Sequence, residues 1–527
     1  MLDTLQIAKS WLHECTQDHS QWQCANQDSD MLPTRLVCIA NPCPRLVSTC
    51  HWTARPRYAT LSHCWGDVPF LRLETRNQDA FSRIIPSDQL PKTFQDAIEI
   101  AKALGLEYIW IDSLCIVQDD DDDWRKEAAL MSSVYGGSHV NIAASSATSA
   151  HQGCYKRTDR LVDGLQVEIH IQGERRELKV IQFEEVWLYD TTVWRSHLAG
   201  RAWAFQEKIL SPRTIHSGDC GMFWECAGKV ASEMLPCGLN PISLQESPIR
   251  QYQELQRDSY LAWWANAIDR YSNAKLTYGR DKLVAISGIA RQIHDRFGDT
   301  YIAGLWHNPT IEEQLCWKVE PFQLMTMPKP RLKPRPAYRA PSWSWASIDS
   351  AIELDDLHLQ RYRYQNYARV LDAKTYPVGG QDQFGQISAG WIRIACKGLL
   401  YGRLSTRKSF EVDCPGGGVT FDIEPDTVDD VGHMECHGAY VLPMILGTRG
   451  PEASLRRSCS GILLRPSEHT HGQFHRCGGF KVPSRCTGFS ELIDEMFKPW
   501  QPLAQRMCAE IIGDTESMEE SFVITII

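Results

Sequence analysis

The segment at residues 106–145 constrains the fold more than any other part of the chain. It reads LEYIWIDSLCIVQDDDDDWRKEAALMSSVYGGSHVNIAAS, which is the pattern of an apolar strand, an acidic run, an amphipathic helix and a second apolar strand. Upstream, YATLSHCWG (58–66) predicts another strand, and LPKTFQDAIEIAKALG (90–105) has the apolar spacing of a helix. This β-α-β-α-β series predicts a parallel sheet with right-handed crossovers. We expect the strands at 58–62, 108–113 and 139–144 to be neighbours, the middle one within an apolar run from Tyr108 to Val117.

The predicted helix after the acidic run carries a carboxylate on its apolar face. Trp124, Met131, Val134 and Tyr135 share one face at 3.6 residues per turn, and Glu127 falls on that face. Partial burial would raise the pKa of Glu127 toward the range that is useful for proton transfer. The alternative is a surface Glu that the helix dipole favours near a helix N-terminus. We predict a mostly buried Glu127 and place it among the catalytic candidates.

Polar residues end the strand that precedes this helix. Asp112, Ser113 and Cys115 follow the apolar run, and open parallel sheets bind ligands at the carboxyl ends of their strands. Asp112 is therefore a second catalytic candidate, able to hold ribose hydroxyls or to orient a reacting group. The alternative is an N-cap or turn residue for the following loop. Cys115 together with His63 would suit a thiol nucleophile, whereas a buried Cys is usually a small apolar residue.

The first predicted strand also ends in residues that suit a ligand site. Ser62, Trp65 and Gly66 close the motif YATLSHCWG, where Gly66 would supply a turn and Trp65 could stack on an adenine or nicotinamide ring or fill the core. The dinucleotide fingerprint GxGxxG is absent, so a nucleotide would bind in another way. With the two carboxylates as catalytic candidates, the predicted substrate-binding set is Ser62, His63, Trp65, Gly66, Ser113, Cys115, Trp124 and Arg201.

Arg201 begins RAWAFQEK, a predicted helical segment that also contains Gln206 and Glu207. These side chains either line the same cleft or form a salt-bridge network, and the sequence does not separate the two. The acidic run at 119–123 lacks the spaced ligands and the Gly turn of a calcium loop, so a solvated helix N-terminus is the better interpretation.

Composition limits the classes of partner. The net charge of −10 argues against nucleic acid, and no apolar run approaches the length of a membrane span. The N-terminus lacks the apolar region of a signal peptide, so we expect a cytoplasmic protein. The 19 cysteines are an odd number and include no CxxC pair, which favours reduced thiols and no metal site.

The length of 527 residues predicts two or three domains. We divide the chain into an α/β core with an N-terminal extension (1–160), a mixed α/β region (161–345) and a β-rich C-terminal region (346–527). The proline-rich segment at 327–336 is a predicted linker. Short alternating runs such as WIRIACKGLL and SFVITII predict antiparallel strands after it.

Several blocks together resemble a known family. They are YATLSHCWG (58–66), the segment at 90–120, DWRKEAALMSSVYGGSHVNIAA (123–144), RAWAFQEKILSPRTIH (201–216), FWEC (223–226) and RAPSWSWAS (339–347). In order and spacing the chain resembles the fungal heterokaryon-incompatibility (HET) domain proteins. His63 stands where that family usually has Tyr.

The resemblance implies a fold and an activity. HET domains look like distant relatives of TIR domains, which have a flavodoxin-like parallel sheet and serve in signalling assembly or in cleaving NAD. In catalytic TIR domains a Glu on the helix after a central strand is essential, and by helix position Glu127 is its counterpart here. The resemblance thus implies a role in non-self recognition and cell death, with NAD or a related nucleotide as substrate and no bound cofactor. Two alternatives stay open: a non-enzymatic module that self-associates, and an enzyme repurposed for another small molecule through Cys115 or His63.

Overall fold

The computed structural model divides the chain into two compact units, Met1–Leu255 and Gln256–Ile527, and each is described here by itself. The three-part division drawn from the sequence stays a prediction. The structure describes residues 2–19, 24, 31–155, 166–167, 181–182, 188–239, 247–319, 332–354, 363–380, 382–406, 409–412, 418–449, 456–486, 489–496, 506–513 and 520–527.

The first unit alternates helices and strands. Its described helices are Leu2–Asp18 (α1), Gln78–Arg83 (α2), Lys92–Ala103 (α3), Asp112–Cys115 (α4), Asp121–Gly136 (α5), Ala202–Leu210 (α6) and Pro248–Gln253 (α7). Its described strands are Arg35–Cys38 (β1), Arg45–Ser48 (β2), Tyr58–Ser62 (β3), Tyr108–Ile111 (β4), Val140–Ala143 (β5), Gln166–Val167 (β6), Ile181–Gln182 (β7), Arg213–Gly218 (β8), Gly221–Cys226 (β9) and Lys229–Ser232 (β10).

Eight of these strands form one mixed sheet in the order β10-β9-β8-β5-β3-β4-β1-β2. The four central strands β8, β5, β3 and β4 are parallel, and antiparallel hairpins extend the sheet on both sides. The predicted neighbours are confirmed, because β3 pairs in parallel with both β4 and β5. All residues of β3 and β5 are buried, as expected for strands in the middle of a covered sheet.

The strand predicted from Tyr108 to Val117 was too long. It ends at Ile111, and the next four residues form the helical turn α4. The carboxylate of Asp112 explains the change, because its Oδ1 accepts a hydrogen bond from the backbone N of Ser113 at 2.6 Å. A short polar side chain that bonds the local backbone in this way competes with the ladder of a strand.

The order of the parallel strands indicates where a ligand-binding crevice should lie. Numbered along the chain, the four parallel strands lie in the order 2-1-3-4, so successive strands are added in opposite directions on the two sides of the β3–β5 pair. In doubly wound sheets ligands bind at the carboxyl ends of the strands at such a switch point. The residues that follow β3, β4, β5 and β8 are therefore the ones to examine for function.

The second unit is rich in strands, as predicted for the C-terminal region. Its described helices are Tyr260–Ser272 (α8), Val284–Phe297 (α9), Ile311–Gln314 (α10), Val428–His437 (α11) and Phe489–Met496 (α12). Its described strands are Thr300–Ile302 (β11), Leu305–His307 (β12), Lys318–Val319 (β13), Ile352–Glu353 (β14), Arg363–Asn366 (β15), Ala368–Pro377 (β16), Ile387–Cys396 (β17), Leu400–Leu404 (β18), Ser409–Val412 (β19), Val419–Pro425 (β20), Ala439–Arg449 (β21), Arg456–Pro466 (β22), Gln473–Pro483 (β23), Glu510–Gly513 (β24) and Glu520–Ile526 (β25).

The strands from β15 onward form one sheet with almost entirely antiparallel pairing. Its main path is β15-β21-β18-β19-β20-β23-β25-β17-β16, and the pair β23–β25 is parallel. The predicted linker at 327–336 lies partly outside the described residues. Among the helices that the structure describes, none is both long enough and apolar enough to cross a bilayer.

Candidate functional site

A small cleft of about 20 Å³ lies at the carboxyl ends of β3, β5 and β8. Polar side chains from each of these strands and from α6 reach it: Ser62, Asn141, Ser145, Lys208 and His216. Because this is the switch point of the parallel strands, the cleft lies where the topology predicts a ligand.

Asp112 is held in one orientation beside this edge. Its Oδ2 accepts a hydrogen bond from Nε1 of Trp65 at 2.9 Å, and its Oδ1 accepts one from Ser113 N. Nδ1 of His63 lies 3.8 Å from Oδ1. The Asp112 side chain keeps 23% of its surface exposed, so a ligand can reach a carboxylate whose position the protein has already set.

His63 is buried against the rings of Phe70 and Phe94. Burial lowers the pKa of His63 to about 4, although the nearby Asp112 acts in the opposite direction. The imidazole is therefore neutral near pH 7. The imidazole packs beside Asp112 and adds no positive charge there.

Glu207 is a second carboxylate near this edge of the sheet. It lies buried in α6, and the hydroxyls of Ser62 and Tyr135 hydrogen-bond its carboxyl group. Burial raises the pKa of Glu207 to about 7, with Asp112 acting in the same direction and Arg201 against it. A carboxyl group that titrates near neutral pH can take up or release a proton during a reaction.

Arg201 connects α6 to the turn after β3. It is the residue before α6, and its guanidinium donates a hydrogen bond to the carbonyl oxygen of His63. This bond ties the start of α6 to the turn after β3, which brings Glu207 toward Ser62. Neither Arg201 nor Glu207 is among the residues that line the cleft itself, so their place in a ligand site stays a prediction.

A second polar cluster borders the same cleft. Oγ of Ser145 lies 3.4 Å from Nδ1 of His216, whose Nε2 lies 3.1 Å from Oε2 of Glu225. Nζ of Lys208 lies 3.3 Å from the same Oε2 and 3.1 Å from the ring centroid of Trp194. All three members of the Ser-His-Glu chain are buried. The arrangement is a hydroxyl, an imidazole and a carboxylate in sequence.

The charge states of His216 and Glu225 at neutral pH follow from their shifted pKa values. Burial lowers the pKa of His216 to about 4, even though its hydrogen bond to Glu225 acts in the opposite direction. Burial also opposes ionisation of Glu225, but Lys208 and His216 together lower the pKa of Glu225 to about 2. At neutral pH the imidazole is therefore uncharged and the carboxylate is ionised. A neutral imidazole can accept a proton from Ser145.

Glu127 is fully buried and burial raises its pKa, so both parts of that prediction are confirmed. The neighbouring side chain of Thr34 and the charge of Arg35 partly offset the rise. Oε1 of Glu127 lies 3.8 Å from Nη2 of Arg35, which also pairs with Asp123. These described contacts join Glu127 to the start of β1, whereas the carboxyl group of Glu207 is the one bonded to Ser62.

The remaining predicted residues have varied surroundings. Burial raises the pKa of Cys115 to about 12, which keeps the thiol protonated, and its carbonyl accepts from Nε of Arg35 at 2.7 Å. Ser113 is buried beneath Asp112. Trp124 is half-buried with its ring edge-on to Trp203. Gly66 has a φ of 72°, and a side chain there would collide with Ser149.

One family comparison bears on this site. Residues 58–207 match the family described as Heterokaryon incompatibility protein (HET). The chain contains a HET domain. No curated protein and no solved structure gives a match. The HET domain includes both Asp112 and Glu207, whereas His216 and Glu225 follow it in the chain.

Sequence reasoning placed Asp112, Trp65 and His63 in one site, but it gave no role to Ser145, His216 or Glu225. A strand-end position was a usable signal for Ser145, because it follows the apolar run 139–144. His216 and Glu225 sit within short strands whose pairing decides what they face, and no local pattern reveals that pairing.

Proposed function

We propose that the HET domain of this chain hydrolyses the N-glycosidic bond of NAD or a related nucleotide, and that this reaction serves heterokaryon incompatibility. The observation that carries the proposal is the pair of carboxylates at the switch point, Asp112 partly exposed and Glu207 buried with a pKa near 7. Two carboxyl groups whose surroundings separate their proton affinities are typical of glycoside hydrolysis.

Asp112 and Glu207 would have different roles in the reaction. As the C1′–N bond breaks, nicotinamide leaves with the electron pair, and positive charge develops on the ribosyl ring. The carboxylate of Asp112 would stabilise this charge or hold the ribose hydroxyls. Water then adds to C1′, and its proton passes to ionised Glu207 and afterwards to solvent. The products are ADP-ribose, nicotinamide and one proton, so no oxidant or metal is needed.

Other features of the proposal follow from the resemblance. The strand order 2-1-3-4 is shared with flavodoxin-like sheets and supports, at that coarse level, the proposed likeness to TIR domains. In this proposal NAD is a substrate and not a cofactor, the site of action is the cytoplasm, and the outcome is cell death on non-self recognition. Self-association of the chain is part of the rival proposal, in which the HET domain assembles without chemistry.

The test is release of nicotinamide from NAD by the purified full chain. We expect Glu207→Gln to abolish turnover, because Gln keeps the shape of the side chain but cannot take the proton. Asp112→Asn should reduce turnover, while Glu99→Gln, an exposed carboxylate on α3, should not. Absence of nicotinamide release with NAD and with related nucleotides would favour the assembly module.

Glu127→Gln is the variant that separates two versions of the proposal. The family resemblance assigns the essential carboxylate to Glu127, whereas the contact with Ser62 and the raised pKa favour Glu207. Loss of turnover in Glu127→Gln with full activity in Glu207→Gln would return the catalytic role to Glu127. In either case each variant must melt at or above the temperature of the parent, so that a loss of turnover reports on catalysis and not on unfolding.

A second candidate function rests on the chain of Ser145, His216 and Glu225. Oγ of Ser145 would attack an acyl carbonyl while its proton passes to Nδ1 of His216, and water would later release the acyl group. A fluorophosphonate probe tests this directly. Labelling of the peptide that carries Ser145, lost in His216→Gln, would support a serine hydrolase, and unlabelled protein would exclude it.

A further inference from the structure

We propose that Cys15, His19, Cys24 and Cys226 bind one structural zinc ion in the first unit. The four residues are buried, and their ligand atoms all lie within 4.8 Å of one another. Nδ1 of His19 lies 3.4 Å from Sγ of Cys226 and 4.0 Å from Sγ of Cys24. Three thiols and one imidazole form the Cys₃His set that zinc takes in closed, structural sites.

The spacing of these atoms suits a tetrahedral ion. With Zn–S bonds of about 2.3 Å and a Zn–N bond of about 2.0–2.1 Å, ligand atoms in a tetrahedron lie roughly 3.5–3.8 Å apart. The observed separations, up to 4.8 Å, need only a small contraction to reach this geometry. Because the protein supplies all four ligands, no coordination position is left for water, and the site is structural and not catalytic.

The local structure explains how the ligands meet. Cys15 lies in the last turn of α1 and His19 directly follows that helix, so they are four residues apart on one side. Cys226 is the last residue of β9, and Cys24 comes five residues after His19. A metal here would fasten α1 to the edge hairpin of the sheet.

Charged side chains around the cluster complement a zinc–thiolate centre. Nε of Arg213 lies 3.2 Å from Sγ of Cys15, and its guanidinium donates further hydrogen bonds to the carbonyl oxygens of Cys24 and His139. Three thiolates with Zn²⁺ carry a net negative charge, and the fixed cation of Arg213 offsets it. Such outer contacts are a usual part of metal sites.

His19 has the contact expected of a ligating imidazole. With Nδ1 facing the sulfurs, its Nε2 lies 3.7 Å from Oε1 of Glu14, and Oε2 of Glu14 pairs with Nζ of Lys229 at 2.7 Å. A carboxylate behind the second ring nitrogen fixes the tautomer and orientation of metal-bound His.

This inference revises the expectation of no metal, which rested on the absence of CxxC pairs. The fourth ligand is far away in sequence: 207 positions separate His19 from Cys226. All four ligands lie outside residues 58–207, so the proposed ion belongs to the segments that flank the HET domain and not to the domain itself. The inference is independent of the proposed hydrolase activity.

Elemental analysis of the full chain, purified under reducing conditions, tests the proposal. We expect one zinc ion per chain in the parent protein, and loss of the ion in Cys15→Ser, Cys24→Ser and Cys226→Ser. The matched control is Cys316→Ser, a buried thiol in the second unit, which should keep the ion. His19→Cys should also keep it, because four thiolates bind zinc well.

Cobalt(II) substitution gives a readout that does not depend on the folding of variants. The parent chain should show the visible absorption of tetrahedral cobalt with thiolate-to-metal charge-transfer bands, which should intensify in His19→Cys. Glu14→Gln should weaken metal affinity by about 10–100-fold, as loss of an outer-shell partner does. A parent chain without zinc that gives no cobalt spectrum, or one with a Cys15–Cys24 disulfide, would overturn the proposal.

Discussion

Nε1 of Trp65 donates a hydrogen bond to Oδ2 of Asp112 across 2.9 Å and joins two turns that are 47 positions apart. The bond connects the end of β3 to the start of α4, so the indole fixes the carboxylate that the proposed hydrolysis needs. This relationship can be tested without knowledge of the substrate.

We predict that Trp65→Phe lowers the free energy of unfolding by about 1.5 kcal/mol, the low end of the range for a hydrogen bond to a charged group. The low end applies because Asp112 is partly exposed. Urea unfolding of Trp65→Phe, Asp112→Ala and the double variant measures the coupling between the two side chains. Coupling near zero would contradict a contribution of this bond to stability.

The buried carboxyl group of Glu207 should make stability depend on pH. Its pKa is about 7 in the folded chain and near the usual Glu value when unfolded. Between these values the folded state binds more protons, so its stability is highest at low pH and falls as the pH rises through about 7. Each unit of pKa difference corresponds to about 1.4 kcal/mol.

We therefore predict that Glu207→Gln unfolds at higher urea concentration than the parent at pH 8, and that this advantage shrinks toward pH 5. The measurement is a series of urea unfolding curves across that range. The exposed control Glu99→Gln should follow the parent at every pH. A parallel pH profile for Glu207→Gln and the parent would show that Glu207 titrates normally.

Alanine substitutions at Gly66 and at Gly105 should destabilise the chain by different amounts. A Cβ at Gly66 would lie 2.4 Å from Cβ of Ser149, whereas one at Gly105 would meet nothing within 4 Å, and both residues have positive φ. Gly105→Ala should cost about 1–2 kcal/mol for the left-handed backbone alone. Gly66→Ala should cost a further 1–3 kcal/mol or so, because the extra atom overpacks the site. Equal melting temperatures for the two variants would refute this.

The buried carboxylate of Glu225 should be costly to remove. We predict that Glu225→Gln destabilises the chain by about 3–5 kcal/mol, because Lys208 and His216 would lose their buried anion. The double variant Glu225→Gln, Lys208→Met should recover part of this loss. Urea unfolding measures both, and a double variant less stable than the sum of the two single variants would oppose the ion-pair explanation.

The stabilisation that Glu225 contributes should depend on pH. The pKa of Glu225 is lowered to about 2 in the folded chain, so its stabilisation is present above the usual Glu value and is lost as the pH falls toward 2. We expect the variant Lys208→Met to begin acid unfolding at a higher pH than the parent. Circular dichroism during an acid titration checks this.

Local patterns predicted much of the sheet, because β3, β4 and β5 are separate apolar runs divided by helices of clear period. They also predicted that Asp112 lies at the carboxyl end of a strand and that Glu127 is buried, since strand ends and helix faces are properties of neighbouring residues. The role of Glu207 was not predictable in this way. Its bonds to Ser62 and Tyr135 depend on how α6 packs, and chain spacing does not specify packing.

The same limit explains the two clusters that sequence reasoning missed. His216 and Glu225 face each other because β8 and β9 form an antiparallel pair, and Ser145 joins them because β5 lies beside β8. Likewise, Cys226 approaches Cys15 and His19 only after the hairpin and α1 have docked. Each contact needs the assembled sheet, so a search for motifs along the chain does not find it.

The pairing of β8 with β5 has a practical consequence for anyone who wants to express the HET domain alone. A fragment that begins at residue 58 and stops at residue 207 would lack β8 on one side and β1 on the other. It would expose β4 and β5 as open edges, which recruit other chains and cause aggregation. The shortest fragment worth producing is the whole first unit, through Leu255.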